Sequence, residues 1–324
     1  EYSPGYYIDS IFTTNSDFKV YKVSRTDLAW SNPDYANWYK MVPFGAPYID
    51  INNNCFYDRD IDKPGVLEAK QTLFVVLTDG DISQHNPNEG FGGGITNPLL
   101  GAEVRLTVWA YEDYLSDVQY MRYQVINKSK NVWDSTFFTI FADGDSPSGI
   151  TTDLSGCDTN LQIGYNYSND TVINGAFGIQ MLQGPVNKLT GDTLKLHSYS
   201  ISSIQYNCGG EILGNPRVAY NYMKGYKSDG SWFLDPTYIP PRKTKFVFSG
   251  DPESNTGWTP QKGFIKNCNG TDTGAIVSIN GADMKFQLNA GGDNFKVMPG
   301  EMNNLYFAQM IAKGVTNKNS VTKL

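Results

Sequence analysis

Three stretches of this sequence alternate polar and apolar residues with a period of two: 102–111, 119–127 and 135–142. A strand turns successive side chains to opposite faces, so the pattern commits each stretch to a sheet with one face buried. The segments between them are short and polar, which predicts an antiparallel meander. Around them, 21 Tyr, 17 Phe and 6 Trp supply strand-forming rings, while 32 Gly and 16 Pro break the chain into turns. Residues 71–78 (Gln-Thr-Leu-Phe-Val-Val-Leu-Thr) read as a buried strand stopped by Asp79-Gly-Asp81. Further short strands are predicted at 245–248, 274–279, 284–288 and 304–312. One amphipathic helix is predicted over 216–227, with Pro216 in its first turn and Val218, Tyr222 and Met223 on one face. The expected fold is mainly β, an antiparallel β-sandwich architecture with long loops and one short helix. Residues 1–200 are expected to form a β-sandwich domain, and 201–324 a second β-rich portion carrying the helix.

The segment from Asp50 to Asp62 resembles the opening of a calcium loop, with acidic or amide side chains at 50, 52, 54, 58, 60 and 62. A hard cation takes six to eight oxygens, and a tightly curled loop offers them from alternate residues. Asp50, Asn52 and Asn54 would supply side-chain oxygens, Phe56 its carbonyl and Asp58 a direct or water-bridged contact. Asp60 or Asp62 would close the shell. Cys55 stands where such loops place a glycine able to adopt a positive φ. The plainer reading is a solvated Asn/Asp turn between two strands. A second, weaker cation site is expected from Asp143, Asp145, Asp153 and Asp158, gathered where strands emit loops.

A net charge of −7 argues against nucleic acid and anionic membrane surfaces as partners. No stretch reaches the roughly 18–20 consecutive apolar residues of a membrane helix, so no membrane span is expected. The opening Glu1-Tyr-Ser-Pro-Gly5 is not a signal peptide, which leaves a cytosolic chain or the matured part of an exported one. The cysteines, Cys55, Cys157, Cys208 and Cys268, lie far apart with no C-x-x-C pair. Cys208 and Cys268 sit in polar turns, which favours one or two disulfides and an extracytoplasmic setting.

Motifs for catalysis are thin. His85 and His197 are the only histidines, both in ordinary contexts, and neither a G-x-S-x-G elbow nor a Cys–His nucleophile motif occurs. Paired carboxylates for glycoside cleavage stay open, because folding sets such pairs. The Gly-rich stretch 86–97 lacks the Lys-Ser/Thr of a phosphate cradle and reads as a surface loop. Trp30, Tyr35, Trp38, Trp232 and Trp258 lie near turn signals, as sugar platforms or as core residues.

Several pieces, in order, match a group of large exported proteins: 46–54 with 62–65, 101–111, 156–159, 183–185, 220–223, 250–258, and 298–300 with 320–323. By these the chain resembles type IX-secreted surface proteins of Bacteroidetes and Ignavibacteria that carry a C-terminal sorting domain. The resemblance covers nearly the whole chain, and similar chains have Gly at the position of Cys55. It implies that this is an internal fragment of a longer precursor, and it implies location and architecture rather than an activity. Proteins of this type also carry O-glycans at Asp-Ser/Thr motifs, here at Ser10, Ser135, Thr171 and Thr193. The expected function is a secreted, calcium-stabilised structural or adhesion protein of the cell surface, a subunit of an extracellular filament or layer. Its expected partners are further copies, other surface proteins and glycans. The alternative is a polysaccharide-binding or polysaccharide-cleaving module.

Overall fold

The computed structural model describes residues 2–85, 99–145, 152–172, 174–203, 215–266 and 275–324. The protein is mainly β, with antiparallel sheets and few short helices. It divides into two compact units. Among the described residues, the first comprises 2–85, 99–133 and 297–308, and the second those within 134–296 and 309–324. Residue 200, where a boundary was expected, falls inside the strand Leu196–Ser202, which is paired along its length. The thinning of sequence pattern there marks the end of a strand rather than the end of a core.

In the first unit the strand Gln71–Thr78 forms where the apolar run predicts it. It pairs with Tyr21–Ser24 on one side and with Ala102–Ala110 on the other, and Ala102–Ala110 pairs in turn with Val118–Asn127. Met302–Ala312 follows Val118–Asn127 in the order of the sheet. The register aligns Phe74 with Thr107 and Arg122, and Val76 with Arg105 and Gln124, on one face. Tyr21 and Val23 extend that face beside Phe74 and Thr72, and Phe18, Trp38, Met41 and Ala46, all buried, pack in one cluster with them. The short helix Pro33–Asn37, capped by the Asn32 side chain on Asp34 N and Tyr35 N, leads the chain into this cluster. Trp38 and Phe74 lie with ring centroids 6.2 Å apart, and the Trp38 indole N–H donates to Pro47 O at 2.9 Å. On the opposite face the aligned rows are Leu73–Val108–Met121, Val75–Leu106–Tyr123 and Leu77–Val104–Val125.

The second unit holds two sets of three paired strands. One has the order Phe137–Asp143, Lys285–Gly291, Leu196–Ser202; the other runs Asp153–Asp158, Ile163–Ser168, Ala176–Gln183. They pack face to face, as a sandwich does: a Cβ at Gly164 would lie 2.6 Å from the Tyr199 ring and 3.0 Å from that of Phe286. Glycine at 164 is therefore what lets the sheets approach. The outer face of the second sheet is covered by a ring cluster of Phe248, Trp258 and Phe264, and Cys157 N donates to Phe248 O. The predicted helix forms over Pro216–Met223, with Asn215 as its cap, and ends early because Gly225 takes a φ of +81°.

The expected three-stranded meander is only two-thirds right. Ala102–Ala110 and Val118–Asn127 pair, but Phe137–Asp143 pairs with Lys285–Gly291 in the other unit. Alternation reports which face of a strand is buried and carries no information about its partner.

Two buried carboxylates hold the first unit's sheet. Asp79 accepts from Leu100 N at 2.7 Å, Gly101 N at 3.0 Å and Ala102 N at 2.9 Å, and from the Tyr7 hydroxyl at 2.8 Å. Glu103, fully buried, accepts from Tyr7 N and pairs with Arg105 at 2.9 Å and Lys128 at 3.6 Å. Replacing Asp79 by Ala strands three backbone donors, two of them, Gly101 N and Ala102 N, in buried positions. We expect a loss of about 3 kcal/mol in urea unfolding at unchanged slope, and about 1 kcal/mol for Tyr7→Phe. A loss below about 1 kcal/mol for Asp79→Ala would contradict the anchoring role.

Candidate functional site

The 50–62 loop lies in the first unit and its base is clamped by pairing of Tyr48 with Pro64 and Ile49 with Lys63. Above the clamp the loop is organised by its own carboxylates. Asp62, 2% exposed, accepts from Ile51 N at 2.9 Å and Asp58 N at 2.7 Å. Asp50 accepts from Asn54 N at 3.2 Å and Cys55 N at 2.8 Å. The amides of Asn52 and Asn54 both meet Asp58 Oδ2 at 2.6 Å, and Asn54 Oδ1 accepts from Phe56 N. Asp60 is exposed, as is the Phe56 side chain. The plain turn reading accounts for each of these bonds.

Among the described residues the three acidic groups close enough to share an ion are Asp143, Asp145 and Asp283, outside this loop, so a cation reading of the loop leans on its backbone. Cys55 adopts a φ of +65° and Asn53 one of +56°, so the chain takes the left-handed turn that glycine usually supplies in such loops. Each carboxylate oxygen that accepts one N–H keeps a second lone pair. Turning the Asn52 amide over would set its oxygen against Asp58 Oδ2, an arrangement that needs a cation between them, whereas the Asn54 amide is held as it stands by Phe56 N donating to its Oδ1. The loop's negative charge is felt by Tyr48. Its hydroxyl pKa is raised, by desolvation first and then by the Asp50 and Asp62 carboxylates.

Strand pairing builds a second acidic group that differs from the expected one. Asp143, Asp145 and Asp283 bring carboxylate oxygens within 4.8 Å of one another and can hold a metal ion. Lys285 Nζ already lies 3.4 Å from both Asp143 and Asp283. Burial raises the Asp143 pKa, Lys285 opposes the rise, and Asp283 and Asp145 add to it. Asp153 is instead buried within its strand, and Asp158 caps a turn by accepting from Asn160 N and Leu161 N. Asp283 escapes sequence reasoning because only the pairing of Asp143 with Lys285 brings it near.

Cys55 is exposed and Cys157 buried, and both are free thiols, so neither forms the disulfide expected of it. Burial raises the Cys157 thiol pKa well above its ordinary value, and its sulfur faces Val247 O at 3.6 Å within the packed second sheet. Cys208 and Cys268 lie outside the described residues, as does the Gly-rich stretch 86–97. Of the five aromatic platform candidates, Trp38 and Trp258 are core residues, Tyr35 packs on the first unit's core and Trp232 packs edge-on to Tyr226. Trp30 is 85% exposed. Ser10, Thr171 and Thr193 are exposed, whereas the Ser135 hydroxyl is half-buried and donates to Asp293 O at 2.6 Å.

Each histidine has a near polar neighbour among the described residues. His85 Nε2 lies 3.0 Å from Asp79 O, and His197 Nε2 lies 2.7 Å from Lys245 Nζ. Desolvation and then Lys245 lower the His197 pKa below 6.5, with Asp293 opposing. An unfolded chain binds that proton near pH 6.5 and the folded chain does not, so this group's contribution is present above pH 6.5 and lost as pH falls through the folded value.

Two outcomes follow. The decline in urea midpoint from about pH 7.5 to about pH 5.5 should be shallower in His197→Gln than in the parent, and equal slopes would exclude His197 as a source. Cys55→Gly should exceed Cys55→Ala in stability by about 0.5–1 kcal/mol, because Ala keeps the Cβ that opposes a positive φ. A Gly variant no more stable than the Ala variant would discredit the turn. No known family model matches this chain, and no curated protein is similar to it.

Proposed function

We propose that the protein is a calcium-stabilised structural or adhesion module of an exported protein, acting at the cell surface by self-association as part of a layer or filament. The observation that carries this reading is the 50–62 loop. Asp50, Asn52, Asn54 and Asp58 are drawn around a left-handed turn at Cys55, a conformation that costs a non-glycine residue about 1–2 kcal/mol. A bound cation favours such a conformation by holding the oxygens together. The net charge of −7 supports a divalent-cation binder, and export follows from the resemblance to type IX-secreted proteins. On this reading Ser10, Thr171 and Thr193 are the accessible O-glycan acceptors, and Cys208 and Cys268 the remaining disulfide candidates.

A cation that binds only the folded form stabilises it by mass action, by about 2.7 kcal/mol at a hundredfold excess over its Kd. Thermal unfolding in calcium should therefore lie about 5 °C or more above unfolding in chelator. Asp58→Ala should abolish most of the difference. A Tm that chelator does not move sinks the cation reading. A second reading, a polysaccharide-binding or polysaccharide-cleaving module, is favoured by the open Trp30 ring. A glycan array and a reducing-sugar assay separate the two, because a building block is silent in both.

A further inference from the structure

The strand Leu196–Ser202 carries one irregularity. Leu196 lies opposite Ala290 and Ser198 opposite Asn289, so adjacent residues on one strand meet residues two apart on the other. His197 is the extra residue of a β-bulge, a feature that re-aims a side chain. It is aimed at a lysine: His197 Nε2 lies 2.7 Å from Lys245 Nζ. An ammonium can only donate, so the neutral ring meets it with the Nε2 lone pair and keeps its own proton on Nδ1. The ring is also held by Phe137, with centroids 5.1 Å apart, and by a hydrogen bond to the Lys224 backbone. Lys245 begins a strap. Tyr199 N donates to Lys245 O at 2.9 Å and Val247 N to Tyr199 O at 3.2 Å, which lays residues 245–247 parallel to the edge of Leu196–Ser202. One residue on, Phe248 O accepts from Cys157 N at 3.1 Å, and Cys157 Sγ faces Val247 O. Residues 245–248 thus close one side of the sandwich, tying Tyr199 in one layer to Cys157 in the other.

We propose that the His197–Lys245 contact is a proton-controlled latch, and that a proton on His197 loosens the strap 245–248 from both layers of the sandwich. The latch lies in the second unit and is independent of the cation reading of the 50–62 loop. It works by exclusion. A protonated imidazole donates from both nitrogens, so Nε2–H would face an ammonium with no lone pair between them. Two positive charges would then meet where both residues are half-buried and water screens them less than at the open surface. The groups around the ring come from three further elements: Lys245 on the strap, the Lys224 backbone at the helix end, and Asp293 in the turn after Lys285–Gly291. Asp293 and the Lys224 backbone favour the proton; burial and Lys245 outweigh them. Asp293 is exposed and lies 3.9 Å from the Lys224 ammonium, which itself shares the Tyr226 ring with Lys245, each 5.6 Å from its centroid. Lys245 thus has a second cation beside it and gains little from that carboxylate. The ring pKa is lowered while the latch is closed and returns towards 6.5 once it opens, so falling pH favours the loosened strap.

Hydrogen exchange on the intact chain at about pH 7.5 and about pH 5, corrected for the intrinsic rate, tests this at the amides of Tyr199, Val247 and Cys157, the strap's three backbone donors. Their protection should fall about fivefold or more in acid, while the paired amides of Ile163–Ser168 hold within about twofold. His197→Gln keeps an acceptor for Lys245 and a donor for Lys224 but takes no proton, so its strap protection should change by less than about twofold over the same range. Lys245→Met removes the charge. It should flatten the response in the same way and raise the midpoint of the His197 ring-proton titration read by NMR, and it decides the matter should His197→Gln fail to fold. Strap amides as well protected in acid as at neutrality overturn the proposal. So does a fall of equal size in the parent and the folded variant, or one shared by Ile163–Ser168.

Discussion

Every strand has two faces, and what covers each face governs the rest of this protein. In the second unit both faces of Ile163–Ser168 are closed: Gly164 admits Tyr199 and Phe286 from one side, and the Tyr165 and Tyr167 hydroxyls meet Gly250 O and Gln261 on the other. The strand Lys285–Gly291 solves the same problem differently. Phe286, Leu288 and Ala290 are buried on its inner side, while Asn289 on its outer side is satisfied by hydrogen bonds. The Asn289 amide donates to the hydroxyls of Ser198 and Ser200 and to Tyr222 O, and those serines donate to Met223 O and Tyr222 O. Those carbonyls belong to the last turn of the helix Pro216–Met223, and Tyr222 O accepts from Gly225 N as well. At Asn289 the polar sheet face and the helix end complete one another, whereas Gln287 on the same face keeps both its side-chain polar atoms buried without a partner.

Buried carboxylates do comparable work in the loops. Asp79 takes three backbone N–H groups at the entry to Ala102–Ala110, and Asp62 takes two at the closure of the 50–62 loop. A carboxylate desolvated in this way is stabilised by donors that cannot reach water. The device also explains why a turn and a cation loop look alike in sequence. Both need acidic or amide groups at alternate positions, and a carboxylate oxygen that accepts an N–H still has a lone pair for an ion.

Local patterns were legible and long-range ones were not. The run 71–78 and the helix at Pro216 carry their own signals: a stretch of β-branched and apolar residues, and Asn-Pro ahead of an amphipathic turn. The two short helices Pro33–Asn37 and Asn317–Thr322 were missed, although Asn32 with Pro33 and Thr316 with Asn319 are ordinary starting signals. The partner of Phe137–Asp143 lies some 150 residues along the chain, as the 150-residue separation of Thr139 and Asn289 shows, and nothing within the strand names it. The acidic group inherits that blindness. Asp143 and Asp145 announce themselves beside a strand end, but Asp283 joins them through a pairing that no spacing encodes. The buried Cys157 misled for a related reason, since thiol chemistry reads the same in a turn as in a packed strand.

On the proposed reading, the cation acts on the side of the sheet that carries the Trp38 and Phe74 cluster. Tyr57, from within the 50–62 loop, packs against the cluster of Trp38, Phe74 and Val76, so ordering that loop strengthens the cover of the first face. Calcium would then act as a ligand that binds the folded form alone, raising the fraction of chains that are folded while leaving the packing of the sheet as it is.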